Sequence, residues 1–495
     1  MAHSVWIWTL PLSLVLFTAG TGSAQDPTSS RVADVYVGTT NGVYLYHAQS
    51  NGALTAVSGS PFSIAGTAVG SNHAYFFSQD PSYLHSYAVR SNGAIGAQAA
   101  QVNTQNFSGS ECGKAELAFL AHSGQDVYSQ LQGDPNGGSD GSCVALQSFR
   151  VSNAGAFTFL AGTEFATEGQ TGIGGSATTV KLTGSGNYGY SGSYDEECEL
   201  ETFRLKRESS GAMLLDSYGY LIRVPSTPSD WRWYPWYMTA DPTNHMAIGM
   251  IGESGNFGPC GDEVHLAQIG SFTVGSDGSL TTTNTPDQMP TPKVFPDILN
   301  MSASGQFLAV GGSETFNTGD NGTQTTGLQV FHFNGASPVT PYGKVLTTDP
   351  INEIHWDRNQ HLYALSESSH KLYVYTVTSS GIIPAPGSPY SIPSTPNALS
   401  IAPVMCSAPS SDGIHICDPI GGSTVAAPVL VEASAKVSGN IARMELWVDG
   451  AKRYTTNSPE LDTTIGLAAG KHRFAVIAVN TAGQKWQNAI DATVK

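Results

Sequence analysis

A short pattern of hydrophobic and turn-forming positions recurs along most of the chain. Each copy has an aliphatic residue, two variable residues and an aromatic residue, followed after a short gap by a turn that ends in glycine. This pattern predicts a β-hairpin, because the aromatic residue suits the end of a strand and the glycine supplies the positive φ of a tight turn. Seven copies can be read, with their hydrophobic parts at Val43–Tyr46, Leu84–Tyr87, Leu146–Phe149, Leu200–Phe203, Ile269–Phe272, Leu328–Phe331 and Leu372–Tyr375.

Further strand-like runs complete each repeat. One precedes the hairpin, as at Val35–Val37 and Leu362–Leu365, and in six repeats another strand and a polar turn come before that. Four strands in a repeat are the content of a propeller blade. The first repeat lacks its leading strand, whereas the last is followed by an extra one at Asn397–Ala402. We therefore predict an all-β fold in which residues 25–404 form a seven-bladed β-propeller. Pairing of Asn397–Ala402 in the same blade as Val35–Val37 would close the ring and remove its exposed edges.

The end of the chain has a different pattern. A stretch rich in Pro, Ser and Gly follows the last repeat and is predicted to be a linker over residues 405–422. Short alternating strands come next, and Asp449-Gly450 between two of them is a strong hairpin signal. Residues 423–495 are therefore predicted to form a small immunoglobulin-like β-sandwich of the bacterial type. Such a module acts as a spacer or an adhesive unit, or simply as a cap that stabilises its neighbour.

The first residues have the pattern of an export signal. Val5–Ala19 is almost wholly apolar, and the small residues Gly22–Ala24 suit a cleavage site before Gln25. We predict a signal peptide over residues 1–24; the alternative is a membrane anchor, for which the apolar run is short. The mature protein is then secreted, periplasmic or at the cell surface, and it does not span the membrane.

Six cysteines in an exported chain favour disulfide bonds over thiol chemistry or a zinc site. The predicted strands place four of them on the face of the propeller that carries its long loops. We predict the pairs Cys112–Cys143, Cys198–Cys260 and, across the linker, Cys406–Cys417, with Cys143–Cys198 as the main rival pairing.

Composition and charge narrow the range of partners. The formal net charge is −17 although charged residues make up only 12% of the chain, and nearly all of the acidic excess lies before residue 415. Such a surface repels phosphate backbones, so we expect no nucleic-acid partner. The low charge and high glycine content argue against a disordered chain and suit short strands joined by many turns.

Two short sequence segments in the repeats are similar to segments of a known group of proteins. Val35–Gly38 and the phrase Gly59–Ile64, which recurs as Gly387–Ile392, resemble the lactonase-type β-propellers, the group that includes the bacterial 6-phosphogluconolactonases. The resemblance covers roughly residues 32–404 and implies the propeller fold and a lactone-opening activity. Members of the group often carry Pro-His at the start of an innermost strand. The corresponding places in this chain read Pro235-Trp236, Pro296-Asp297 and Pro396-Asn397, so the catalytic residues stay unidentified.

The face with the long loops is the predicted binding face, since long loops on a rigid scaffold commonly hold ligands. These loops lie at 130–142, 252–263 and 311–327 and are rich in acidic residues. The acidic residues form either a solvated rim or a site for a cation or a polar ligand. No cofactor is expected apart from calcium, for which the weak candidate ligands are Asp134, Asn136 and Asp140.

An unusual aromatic run, Trp231–Tyr237, lies between the fourth and fifth repeats and is predicted to be a loop. Flat rings beside carboxylates suit a carbohydrate ligand; the alternative is that the rings pack between blades. The candidate ligand-binding residues are Trp231, Arg232, Trp233, Tyr234, Trp236, Asp195, Glu196 and Glu197.

Two functions therefore remain open. The first is a secreted ligand-binding or surface-interaction protein that binds carbohydrate or another surface macromolecule through its acidic and aromatic face. The second is an extracellular lactonase that opens a sugar lactone or a related lactone. A histidine–carboxylate pair that converges on the central channel would favour the enzyme, whereas a funnel lined by aromatic rings and backbone would favour binding.

Overall fold

The computed structural model of the chain is all-β, as the sequence predicts. No helix in the described part of the chain is long and apolar enough to cross a bilayer. The structure describes residues 31–494 except for 73, 91, 105–113, 122–123, 133–142, 168–174, 196–201, 220, 256–262, 405, 407–408, 410, 420, 423, 426 and 428.

The described residues between 31 and 403 form seven sheets of four or five strands that follow one another around a ring, and one small two-stranded sheet. Each sheet contacts the next, and the seventh contacts the first. We number these sheets as blades 1 to 7 in chain order. The leading strand of each blade is innermost and contacts the leading strands of its neighbours around most of the ring. The end at which the leading strands begin is called the upper end of the ring, and the turns that follow them lie at the lower end.

Blades 1 to 4 take up residues 31–219. The described residues supply four strands each to blades 2 and 3, and five to blade 4, whose innermost strand is in two short pieces. The strands are β1 (Arg31–Thr39), β2 (Gly42–Gln49), β3 (Leu54–Ala56), β4 (Thr67–Ser71), β5 (Tyr75–Gln79), β6 (Tyr83–Val89), β7 (Ile95–Asn103), β8 (Lys114–Leu120), β9 (Asp126–Gln132), β10 (Cys143–Val151), β11 (Phe157–Thr167), β12 (Gly175–Ala177), β13 (Lys181–Leu182), β14 (Tyr188–Asp195), β15 (Thr202–Arg207) and β16 (Met213–Gly219).

Blades 5 to 7 take up residues 231–391, and one further strand follows them. A small hairpin occupies the long loop between the second and third strands of blade 6, and short 3-10 turns lie at Pro286–Gln288 and Gly319–Asn321. The strands are β17 (Trp231–Ala240), β18 (His245–Ser254), β19 (Glu263–Val264), β20 (Gln268–Val274), β21 (Leu280–Thr281), β22 (Ile298–Met301), β23 (Phe307–Gly312), β24 (Phe316–Asn317), β25 (Thr323–Gln324), β26 (Gly327–His332), β27 (Thr340–Thr347), β28 (Glu353–Trp356), β29 (His361–Ser366), β30 (Lys371–Thr378), β31 (Gly381–Pro384), β32 (Tyr390–Ser391) and β33 (Pro396–Pro403).

The ring closes as the sequence predicts. Strand β33 pairs antiparallel with β1, so that Leu399 lies opposite Val37 and Ile401 opposite Val35. The innermost strand of blade 1 therefore comes from the far end of the propeller sequence. Leu399 is buried in one hydrophobic cluster with Tyr363 of blade 7, and this packing joins the last blade to the first.

Glycines of the predicted hairpins form hydrogen bonds between neighbouring blades. Gly93 and Gly278 have positive φ in the turns between the third and fourth strands of blades 2 and 5. The carbonyl oxygen of each accepts a hydrogen bond from a buried tyrosine of the preceding blade, Tyr36 for Gly93 (2.8 Å) and Tyr190 for Gly278. Because a buried hydroxyl needs such a partner, the turn and the core of the preceding blade depend on each other.

Residues 413–494 form a β-sandwich of two sheets. The strands are β34 (Gly413–Asp418), β35 (Thr424–Val425), β36 (Val429–Lys436), β37 (Ile441–Val448), β38 (Ala451–Thr456), β39 (Glu460–Ile465), β40 (Gly470–Asn480) and β41 (Lys485–Val494). One sheet has the order β34-β36-β39 and the other β35-β41-β40-β37-β38. Their inner faces enclose a hydrophobic core that includes Met444, Leu446 and Phe474. The predicted hairpin at Asp449-Gly450 joins β37 to β38, and both residues have positive φ.

The predicted linker, residues 405–422, contains part of this second domain. Strand β34 lies within it and pairs with β36, so the sandwich already includes residue 413. The linker was predicted too long because the residues on both sides of β34 are also rich in Pro, Ser and Gly. The predicted disulfide Cys406–Cys417 is present, with Cα atoms 5.7 Å apart, and ties the end of the propeller to β34.

Candidate functional site

The aromatic run is the innermost strand of blade 5, and its prediction as a loop is wrong. Strand β17 pairs along its whole length with β18. Aromatic side chains favour strands, and Pro235 is tolerated because an innermost strand is an edge strand that faces the channel. The register shifts by one residue between Pro235 and Tyr237, which is the mark of a bulge.

Two of the rings in this strand belong to the core. Trp233 is 7% exposed and lies in one hydrophobic cluster with Tyr190 of blade 4. Its Nε1 donates a hydrogen bond to the hydroxyl of Thr227 (3.1 Å). Tyr234 is buried as well. Neither ring is therefore available to stack on a ligand at the surface.

The other candidates in the strand are half-buried. Trp231 stacks on His265, with ring centroids 3.9 Å apart. Trp236 lies 6.3 Å from Phe295 at the boundary with blade 6. Ligand binding by Trp231, Arg232 and Trp236 stays a prediction.

Most of the other predicted site residues lie outside the described residues. Two of them are placed in strands: Asp195 ends strand β14, and Cys143 begins strand β10. The calcium site and the two disulfides of the propeller therefore stay predictions. The residues outside the description are Asp134, Asn136, Asp140, Glu196, Glu197, Cys112, Cys198 and Cys260.

A histidine and a carboxylate lie side by side on the innermost strand of blade 7. On strand β28, Trp356 donates from Nε1 to the carbonyl of Asn300 in blade 6 (3.0 Å), and Ile354 packs in a cluster with blade 6. Because strand side chains alternate, Glu353 and His355 are on the other side of the strand. His355 Nε2 is 3.5 Å from Glu353 Oε2, and both side chains are open to solvent.

Lys181 lies on the opposite side of the ring from this pair. It is half-buried on strand β13, in the innermost part of blade 4. Desolvation lowers the pKa of the Lys181 ammonium, and the charge of Glu353 acts in the opposite direction. Blades 4 and 7 are three places apart in a ring of seven, and the space between their innermost strands is the central channel. We call Lys181, Glu353 and His355 the channel trio.

The channel trio has the elements of both acid–base and anion-binding chemistry. Imidazole can take or give a proton near neutral pH, and a neighbouring carboxylate orients it. A largely desolvated ammonium interacts strongly with a carboxylate or a developing oxyanion. Sequence reasoning missed these residues because Lys181 comes from a different blade than Glu353 and His355. The available signal was the Glu-x-His spacing in a leading strand, which puts both side chains on one side.

The upper rim of the channel has a polar pocket between blades 1 and 2. Its volume is about 330 Å³, and its lining combines hydroxyl groups, one amide and glycine backbone with three apolar side chains. Asn397 and Thr67 stand at the starts of innermost strands, which fixes the pocket at the upper end. The polar side chains of the lining are those of Thr39, Thr40, Thr67 and Asn397.

A buried carboxylate lies at the same end, between blades 5 and 6. Asp297 is 5% exposed, and its Oδ2 accepts hydrogen bonds from the backbone N–H (2.6 Å) and hydroxyl (2.8 Å) of Ser313 and from the N–H of Glu314 (3.2 Å). Burial raises the pKa of Asp297 to about 6. Burial also raises the pKa of Tyr237 to about 12, with further contributions from the charges of Asp297 and Glu314. Asp297 stands where the Pro-His of the lactonase-type propellers was sought.

Asp297 is expected to make stability depend on pH. Because its pKa is higher in the folded state than the ordinary value near 4, its contribution is fully present below about pH 4 and is lost as the pH rises through 6. Asp297→Asn cannot ionise, so its free energy of unfolding relative to wild type should rise by about 2–3 kcal/mol between pH 4 and pH 7.5. Urea titrations at several pH values measure this difference. Asp287→Asn, at an exposed position, is the control; parallel curves for Asp297→Asn and wild type would contradict the prediction.

The fold and the channel define a class: a lactonase-like β-propeller joined to a bacterial immunoglobulin-like domain. Residues 413–476 match the family model for the bacterial Ig domain. No curated protein matches the chain in sequence.

Solved structures with the propeller fold cover about three quarters of the chain. A candidate 6-phosphogluconolactonase from Bacteroides fragilis is 12% identical, with a TM-score of 0.51 over 76% of this chain and 100% of that one. A second candidate 6-phosphogluconolactonase, from Bacteroides uniformis, is 13% identical (TM-score 0.45; 75% and 100%). The periplasmic gluconolactonase of Pseudomonas aeruginosa is 15% identical (TM-score 0.48; 75% and 99%). At 12% identity the similarity to the Bacteroides fragilis structure bears on the fold alone.

Proposed function

We propose that this chain is an exported β-propeller that binds a small hydroxylated acid, or the lactone of one, in its central channel. The observation that carries the proposal is the Glu353–His355 pair, 3.5 Å apart on the innermost strand of blade 7, with Lys181 on the innermost strand of blade 4 across the channel. An ammonium suits the carboxylate or ring carbonyl of such a ligand, and the carboxylate and imidazole suit its hydroxyl groups.

The upper rim supports the same class of ligand. Three threonines and Asn397 line the pocket of about 330 Å³, and each offers a hydroxyl or amide group. Polar groups at a few fixed positions are what orient a small ligand in a pocket. We therefore propose the channel and its rim as the binding site rather than the aromatic run, because Trp233 and Tyr234 of that run are buried.

Export is part of the proposal. The predicted signal peptide and the disulfide Cys406–Cys417 support it, because disulfides persist in oxidising compartments. A carbohydrate or other surface partner for Trp231, Arg232 and Trp236 is compatible with a channel site but is not required by it.

Lactone hydrolysis is the second candidate function, and the Glu353–His355 contact of 3.5 Å favours it. In that reaction His355 takes a proton from water as the water oxygen bonds to the lactone carbonyl carbon. Lys181 stabilises the oxyanion, and the ring C–O bond then breaks. The proton passes to the departing alkoxide, so that lactone and water yield one hydroxy acid. The lactonase-like fold agrees with this chemistry, and the similar structure from Bacteroides fragilis bears the name of a lactonase.

The test uses calorimetric titration with gluconate and a hydrolysis assay with glucono-δ-lactone. Lys181→Met should weaken gluconate binding roughly tenfold to a hundredfold, because a hydrogen bond to a charged group contributes about 1.5–3 kcal/mol. Lys206→Met, which removes an exposed lysine of the same blade, should bind as wild type does. His355→Asn should retain binding and lose any hydrolysis.

The outcomes separate the two functions. Binding without turnover, weakened by Lys181→Met, supports the ligand-binding protein. Turnover that His355→Asn abolishes supports the lactonase. Equal affinities for Lys181→Met and Lys206→Met would place the ligand elsewhere and overturn the proposal.

A further inference from the structure

The lower end of the channel is covered by the second domain. A cavity of about 910 Å³ lies there, and both domains line it. From the propeller come the last residues of three innermost strands, Leu182, Ala240 and Met301. From the sandwich come Val429, Leu430 and Thr464, which belong to strands β36 and β39.

The turns around this cavity show that it lies at the channel mouth. The lining includes residues of the turns that follow the innermost strands of blades 4, 5, 6 and 7. Four successive blades surround the lower mouth through these turns. Because strands of the sandwich line the same cavity as these turns, the second domain lies at the lower mouth of the channel.

One arginine holds the two domains in this position. Arg358 lies in the lower turn of blade 7 and forms ion pairs with Glu432 on β36 and Asp462 on β39. The Arg358 and Glu432 side chains are only 17% and 12% exposed, so solvent screens this contact less than it screens a surface pair. Asp418 of β34 also lies near: burial raises its pKa, and the charge of Arg358 opposes that rise.

We infer that the immunoglobulin-like domain, held through Arg358, is a cap that closes the lower mouth of the channel. The channel is then open only at its upper end, on the face with the long loops, and a ligand enters and leaves there. This role differs from a spacer or an adhesive unit, because it requires the domain to stay docked. Lys181 is next to Leu182, which lines this cavity, so its accessibility reports on the lower mouth. The inference does not depend on the identity of the ligand.

The experiment measures how fast an amine-acylating reagent modifies Lys181 in the full chain, with mass spectrometry of the digested protein. Exposed Lys206 serves as the internal reference. Arg358→Glu replaces attraction by repulsion and should raise the ratio of Lys181 to Lys206 labelling roughly tenfold, because the reagent then reaches Lys181 directly through the lower mouth and no longer only through the upper end. The radius of gyration from X-ray scattering should rise at the same time.

Two further variants make the result decisive. Glu432→Gln combined with Asp462→Asn weakens the same contact from the other side and should also speed Lys181 labelling. Arg473→Glu changes an exposed pair on the same domain and should leave it unchanged. If Arg358→Glu and the double variant are both folded, by their melting transitions, and label Lys181 as slowly as wild type, the cap is excluded. No ligand is used, so this result is independent of the test of the proposed function.

Discussion

Replacing Trp233 with alanine is expected to lower the free energy of unfolding by about 3–5 kcal/mol, the usual cost of truncating a core tryptophan. Trp233 is 7% exposed and packs with Tyr190 between blades 4 and 5. Its removal leaves a cavity in a close-packed interior and takes the indole donor away from Thr227. Urea unfolding followed by tyrosine and tryptophan fluorescence measures the change.

Trp231 is the matched control, because it is the same residue type two positions away on the same side of the strand. It is half-buried, and its main ring contact is the stack on His265. Trp231→Ala should therefore cost less than half as much, about 1–2 kcal/mol. A small loss for Trp233→Ala together with lost binding of a saccharide would instead assign the ring to a ligand.

The propeller could be predicted because its signals are local. The glycine of each hairpin is demanded by the positive φ of a tight turn, as at Gly93 and Gly278. The extra strand after the last repeat was equally readable, since closing the ring needs a partner for β1. Both features depend on the type of a residue and its spacing, which a single sequence contains.

The aromatic strand was misread because two local rules conflict there. Pro235 within the run argues against a strand, whereas the rings around it favour one. The strand is innermost, so its channel-side edge has no hydrogen-bonding neighbour, and the bulge beside Pro235 absorbs the irregularity. Whether a strand lies at an edge depends on the assembled sheet, so composition cannot decide it.

The channel trio could not be predicted for a different reason. Lys181 and Glu353 are 172 positions apart in the sequence (353 minus 181) and lie on opposite sides of one channel only when the ring closes. Neither lies in a motif, and His355 is one of 13 histidines. The docking of Arg358 on Glu432 and Asp462 is equally invisible, since it joins a turn of the propeller to two strands of another domain.

Asp126→Asn is expected to destabilise the propeller by about 3–4 kcal/mol, since removing one partner of a buried ion pair leaves an uncompensated charge. Asp126 is fully buried and is shared by two arginines: Arg150 Nε is 2.8 Å from Oδ1, and Arg207 Nη2 is 2.6 Å from Oδ2. Asparagine keeps the shape but leaves two guanidinium groups facing each other without a counter-ion. The side chains of Arg150 and Arg207 are 43% and 31% exposed, so both can turn partly toward water. The expected loss of unfolding free energy therefore stays below the largest values for breaking a buried ion pair.

The control for this electrostatic prediction is Asp216→Asn. Asp216 pairs with Arg204 on the third and fourth strands of blade 4, where both side chains are partly exposed. Because solvent screens such a pair, its loss should cost less than about 1 kcal/mol. Urea unfolding of both variants at neutral pH compares them directly. Comparable losses at the two sites would show that the Arg150–Asp126–Arg207 cluster contributes no more than a surface pair, and that blades 3 and 4 are held together by their hydrophobic packing instead.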